Sequence, residues 1–331
     1  MKATPEDFRV EEQLSFVPSG SGPHWLLRVE KRSANTRWVA AEIARLAGVP
    51  ANDVGFAGLK DRQAVAVQWF SVPVLATTAD YWSAVRTADF RVLDVQGNAR
   101  KLKRGALTGN RFRIRLRKVT WSREQLDLKL AAIRAYGVPN YFGPQRFGRE
   151  GYNLDRVVAW MQSERAPRGR TERGFALSAA RSLIFNAVLS RRVAAGDWSQ
   201  LAPGDLASLD GSGSHFRVGA VDEDLRRRWV SLDIHPSGPM WGRGEPQTQG
   251  QSLAHERAIA REFKDVADLL EAQGLTQERR SLRCVVRELS VEADSGTLTF
   301  SFELGRGQFA TAVLREICEL GSTPELESDE E

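Results

Sequence analysis

The sequence predicts an α+β fold in which one core is interrupted by an insertion. Strand-patterned segments dominate the first part of the chain, helical patterning fills the middle, and strand patterning returns beyond Arg280. At 331 residues the chain also exceeds the size at which a single hydrophobic core usually stops growing.

Near the start, DFRVEEQL, HWLLRVEK, VGFA and AVAVQWFSV read as strands. Among them lies one helix, capped at Asn35 or Thr36, carrying Val39, Ile43 and Leu46 on one face and stopping at Gly48. A second helix opens with a capping box, Ser122 and Gln125, and aligns Leu126, Leu130 and Ile133. It ends at Gly137, and Pro139 bars continuation. The charged, aperiodic stretch 163–174 reads as a connector. Helices follow from Ser178 to about Gly196 and over about 251–273, separated by an irregular Gly/Asp/Ser/Pro-rich region. A hairpin is expected from SLRCVVRELSVEA and TLTFSFEL with Gly296 in the turn, and a last helix from about Thr311 to Leu320.

Composition narrows the class. A hydrophobic content of 42% fits a globular protein, no run of 18 apolar residues occurs, and the start MKATPEDFRVEEQ lacks a signal-peptide pattern. The chain therefore reads as cytoplasmic, with no membrane association. Cys284 and Cys318 show no metal-ligand or disulfide spacing and read as buried, reduced thiols. The net charge of +5 hides a more basic body, because the tail 325–331 carries five carboxylates and no cation. That tail reads as solvated and disordered, and the basic body calls for a polyanionic partner.

The densest basic segment, residues 99–119, holds nine cations and no carboxylate. Within it Arg111, Arg113, Arg115 and Arg117 alternate with Phe112, Ile114 and Leu116, so a strand would put four guanidiniums on one face. The plain alternative is a solvated antiparallel face, which usually mixes signs. Without a local acid, phosphate binding is the stronger reading, with DNA and RNA equal at this step.

Three further motifs carry chemistry. Asp61 sits in GFAGLKDRQ, a glycine-punctuated break between two apolar strands, with Lys60 and Arg62 beside it to favour an ionised carboxylate. By itself such an aspartate is usually a solvated turn residue. In NYFGPQRFG, Phe142 can stack a planar base while Asn140 reads polar edges, although the rings can equally return to the core. Gly305-Arg-Gly-Gln-Phe-Ala310 fits G-x-G-x-x-A, but no second parallel strand or acidic ribose contact can follow it. It reads instead as a glycine-flexed loop exposing Arg306 and Phe309 at a helix start. The four histidines lack metal-ligand spacing, so no metal is expected.

Together EDFRVEE, NTRWVA, GFAGLKDRQAVAVQ, KLKRGALTGNRFRI, GVPNYFGPQRFG, LSAARSLIFN and GQFATAVLRE resemble, in order, the motifs of the tRNA pseudouridine synthase D (TruD) family. Only about 190–280 and the tail lack a placed motif. The resemblance implies an α+β pseudouridine synthase core with a mixed, mostly antiparallel sheet, divided as 1–154 plus 281–324 around a TRUD insertion at 155–280, with 325–331 as tail. It also implies the substrate, uridine 13 in the D arm of tRNAs such as that for glutamate, and no cofactor. Asp61 matches the essential aspartate. Phe8, Asn140 and Phe309 match the uridine pocket, Phe142 stands as a stacking ring, and Lys2 and Lys60 as basic substrate contacts. Arg111, Arg113, Arg115 and Arg117 would grip RNA phosphates. The chain begins seven residues before Phe8, shorter than many members, and Ala66 stands where the family often carries threonine. A monomer acting on tRNA, with no DNA partner, is expected. The rivals are a non-catalytic structured-RNA-binding or chaperone protein and a methyl-donor-dependent RNA methyltransferase.

Overall fold

The computed structural model describes residues 3–75, 77–163, 165–294 and 296–317. Lys2, Cys318 and the acidic tail therefore lie outside the described residues. Along the chain run β1 (Phe8–Leu14), β2 (His24–Arg32), α1 (Thr36–Ala47), β3 (Gly55–Phe56), β4 (Val65–Pro73), α2 (Ala79–Ser83), β5 (Phe90–Asn98) and β6 (Leu107–Arg117). Then come α3 (Arg123–Tyr136), β7 (Val138–Pro139), α4 (Tyr152–Ser163), α5 (Arg170–Ala195), β8 (Leu206–Leu209), β9 (His215–Arg217), α6 (Glu223–Val230) and β10 (Ile234–Met240). The last elements are α7 (Gly250–Glu262), α8 (Lys264–Ala272), β11 (Glu278–Ser281), β12 (Arg283–Cys284), β13 (Arg287–Asp294), β14 (Thr297–Gly305) and α9 (Ala310–Ile317).

Contacts gather these elements into two compact units, Met1–Gln125 with Val286–Gly307 and Leu126–Val285 with Gln308–Glu331. The first unit is built on a sheet ordered β13-β14-β6-β1-β4-β2-β5, with β3 paired to β4. Only β1 and β4 run parallel; the other pairings are antiparallel. Thus the sheet is mixed and mostly antiparallel, as the resemblance implies. The first helix forms as read: the Asn35 side chain accepts from the Arg37 amide at 2.9 Å, and Gly48 ends the helix at φ 67°. It buries Val39, Ala40, Ile43 and Ala44 against Leu27, Val29, Phe70, Val72 and Trp82. Each large apolar side chain so buried contributes about 1.5–3 kcal/mol. Removing the cap by Asn35→Ala is expected to cost about 1 kcal/mol in urea denaturation.

The second unit carries an antiparallel sheet, β11-β10-β8-β9, and the pair β12-β7. Its helical core joins Val157 of α4, Ala176, Ala180, Ile184 and Val188 of α5, Ile259 of α7 and Val266 and Leu270 of α8. The expected connector 163–174 is corrected at its end. α5 begins at Arg170, eight residues before Ser178, and its first turns hold Glu172 in an ion pair with Arg156 at 3.1 Å. The single helix expected over 251–273 breaks at Phe263 into α7 and α8. At the end of α3, Gly137 takes φ 70°, and a Cβ there would stand 2.4 Å from the Cys284 carbonyl oxygen. Cys284 is fully buried. No helix among the described residues is long and apolar enough to cross a membrane.

Candidate active site

The loop between β3 and β4 exposes the Asp61 side chain while its neighbours are pinned from below. Gln68, buried on β4, donates to the Gly58 carbonyl at 2.5 Å, and Thr36 at the start of α1 accepts the Lys60 amide at 3.1 Å. The Thr36 hydroxyl in turn donates to Gln68 Oε1 at 3.0 Å. Beneath them, fully buried Lys31 of β2 donates through Nζ to the carbonyls of Ala34 at 2.6 Å, Asp61 at 3.0 Å and Lys60 at 3.4 Å. The aspartate is thus held through its main chain, with its side chain at the surface.

The surrounding charge differs from the expectation drawn from neighbours in sequence. The Lys60 ammonium is paired within the protein: Nζ is 2.6 Å from Glu12 Oε2, with the lysine side chain 8% exposed and the glutamate 0%. Lys31 supplies the buried positive charge instead. Burial pulls its pKa down to about 8, opposed by the nearby Asp61 charge and assisted by Lys60. Phe8, at the head of β1, is buried edge-to-face against Phe112 with ring centroids 5.9 Å apart.

On the second unit, Asn140, Phe142 and Phe309 gather around Arg280. The Arg280 guanidinium lies 4.1 Å from the Phe142 ring centroid and donates to Asn140 Oδ1 at 2.7 Å, while Asn140 Nδ2 donates to the Ser281 carbonyl at 2.8 Å. Arg146 lies 5.0 Å over the same ring and donates to Ser178 Oγ at 2.8 Å. Phe142 is buried with Phe185 and Leu189, so a base meant to stack on it meets a ring already covered. Phe309, half-buried and edge-to-face with Phe142 at 6.1 Å, is the ring with surface left for a ligand. Burial lowers the Arg280 pKa to about 10, which leaves it charged at neutral pH. Sequence reading missed Arg146, Arg280 and the loop holders Glu12, Lys31, Thr36 and Gln68. The signal available was that Glu12, Thr36, Gln68 and Arg146 fall inside the quoted motif blocks.

The arginine strand forms, but its face is not the acid-free patch expected. Arg111 pairs with Glu303 at 2.6 Å, Arg113 with Glu292 at 2.9 Å and Arg117 with buried Asp7 at 2.8 Å. The acids arrive from β14, from β13 and from the turn before β1, giving the mixed-sign face of an ordinary antiparallel sheet. Arg115 makes no such pair among the described residues.

The chain is similar to a crystal structure described as a tRNA pseudouridine synthase D from Methanosarcina mazei, with a TM-score of 0.75 at 20% identity, over 96% of this chain and 93% of that one. Its fold is that of a pseudouridine synthase. Tighter relatives are the tRNA pseudouridine synthases D of Nitrosococcus oceani and Methylococcus capsulatus, each 47% identical over 96% of this chain and over 89% and 90% of their own. The family described as tRNA pseudouridine synthase D (TruD) matches residues 1–164 and 173–317. The chain belongs to that family, whose members are isomerases.

Proposed function

We propose that this protein, acting as a monomer in the cytoplasm, isomerises uridine 13 in the D arm of tRNAs such as that for glutamate, with Asp61 as the essential carboxylate. The observation that carries the reading is an exposed aspartate on a loop fixed by four buried polar side chains. In the reaction the N1–C1′ bond breaks, uracil turns, C5 joins C1′, the C5 proton leaves and N1 regains one. Nothing is oxidised or reduced. Asp61 opens the sequence by attacking C1′ or by taking a sugar proton, and rings such as Phe309 retain the detached uracil. The division into a catalytic core of 1–154 with 281–324 around an insertion of 155–280 belongs to the same proposal. Incubating unmodified tRNA with the protein alone and mapping modified uridines tests it. Conversion at position 13 with unchanged mass is expected; a product that forms only when a methyl donor is added, with a gain of mass, favours a methyltransferase, and no conversion under either condition favours a binding protein.

Lys31 gives a second test. Lys31→Met removes the donor to the Asp61 and Lys60 carbonyls and is expected to lower kcat about 10²-fold with tRNA affinity unchanged, because small misplacement of a reacting group costs that much. In the wild type, kcat should fall as pH rises through about 8, where Lys31 loses its proton. Its folded pKa lies below the ordinary 10.5, so between about 8 and 10.5 the unfolded chain binds more protons and this group's contribution to stability rises with pH. Turnover and stability therefore move in opposite directions through that window. A pH profile of kcat beside one of urea midpoints reads both, and Lys31→Met should lack this alkaline limb.

A further inference from the structure

The sheet unit has a concavity of about 430 Å³ lined by Arg37 and Ala40 of α1, Gly55 and Phe56 of β3, and Lys101 and Arg104 of the β5–β6 connection. No carboxylate lines it. Arg104 lies 3.9 Å over the Phe56 ring, and the Lys101 ammonium donates to the Asn52 carbonyl. Burial, followed by the charge of Arg37, lowers the Arg104 pKa. Among the described residues none of the three cations has an ion-pair partner, unlike Arg111, Arg113 and Arg117 in the same unit. Three like charges around one hollow repel one another, and an anion bound there relieves the repulsion.

The hollow is rigidly framed. The Leu102 amide donates to Ser71 Oγ of β4 at 2.8 Å and the Gly105 amide to the carbonyl of Ala57, just after β3, at 2.7 Å, locking residues 101–105 onto this part of the sheet. A Cβ on Gly55 would stand 2.3 Å from the Leu102 carbonyl oxygen, so only glycine permits this approach. Arg37 adjoins Thr36, which accepts the Lys60 amide, and Phe56 leads into the Asp61 loop. We propose that Arg37, Lys101 and Arg104 form a binding site for backbone phosphates of the RNA substrate, so that tRNA is gripped beside the loop that presents Asp61. This rests on the reading of tRNA as substrate. It moves the phosphate grip within the basic segment from 111–117 to its neighbour at 101–104.

The test is tRNA binding by the full chain across salt concentrations, measured for the wild type, Arg104→Glu, the triple variant Arg37→Ala/Lys101→Ala/Arg104→Ala, and Arg104→Lys. For the triple variant Kd is expected to rise about tenfold at physiological salt, and the slope of log affinity against log salt to shrink by roughly two to three, as loss of three phosphate contacts requires. KM should rise in parallel, while Arg104→Lys keeps most of the slope. Equal thermal midpoints establish that the variants are folded. Unchanged Kd and slope in the folded triple variant overturn the site and leave the isomerase reading standing. A tRNA that binds but is never modified overturns the isomerase reading alone. If AMP binds in a manner the triple variant abolishes while tRNA affinity is unaffected, the hollow serves a free nucleotide and the assignment to RNA fails.

Discussion

Asp61→Asn is expected to bind tRNA within about twofold of the wild type and to lose at least roughly 10⁴-fold in single-turnover rate, because in the proposed reaction the carboxylate acts in the chemical step. Retention of binding follows from how the loop is held. Lys31 grips the Asp61 carbonyl, Thr36 the Lys60 amide and Gln68 the Gly58 carbonyl, and none of these contacts uses the Asp61 side chain. Asparagine has the same shape and cannot serve as nucleophile or base. Filter binding and single-turnover assays on the same preparation check both halves. A rate above about 1% of wild type would remove Asp61 from the chemistry.

Glu12→Ala is expected to destabilise the protein by about 3–5 kcal/mol, since it strands a buried ammonium. Lys60 Nζ has its 2.6 Å contact with a glutamate that is completely covered, and Glu12 Oε1 also accepts the Trp69 amide at 3.4 Å. Replacing both partners, as in Glu12→Met/Lys60→Met, should recover most of that stability while leaving kcat depressed, because the loop then loses its side-chain anchor. Urea denaturation of the three proteins with kcat measured in parallel separates the contributions. Equal stability of Glu12→Ala and wild type would show that water solvates Lys60 at this position.

What was legible in the sequence follows the range of the interactions involved. The cap at Asn35, the stop at Gly48 and the turn at Gly296 depend on residues a few positions apart, and all form as read. The beginning of α5 was hidden because Arg170, Glu172 and Arg173 present charges, and what carries the helix there is docking of later residues such as Ala176 and Ile184. The arginine strand was read without its acids because Glu303 and Glu292 lie 192 and 179 residues away, and only sheet pairing brings them together. Lys31 closes the strand segment HWLLRVEK, where nothing local marks it out. Its burial is decided by the closing of a loop thirty residues later, which local patterning does not contain. The Asp61 motif itself was legible only in company: locally a turn, it gained meaning from distant blocks.

In the proposed function this chain replaces the C5 hydrogen of a tRNA uridine by a bond to C1′, with Asp61 acting in the chemistry. Tritium release from tRNA carrying uridine labelled at C5 reads that replacement directly. With no additive, the wild type should release one equivalent per tRNA and Asp61→Asn none. No release by the wild type, or release at a comparable rate by Asp61→Asn, would contradict the account.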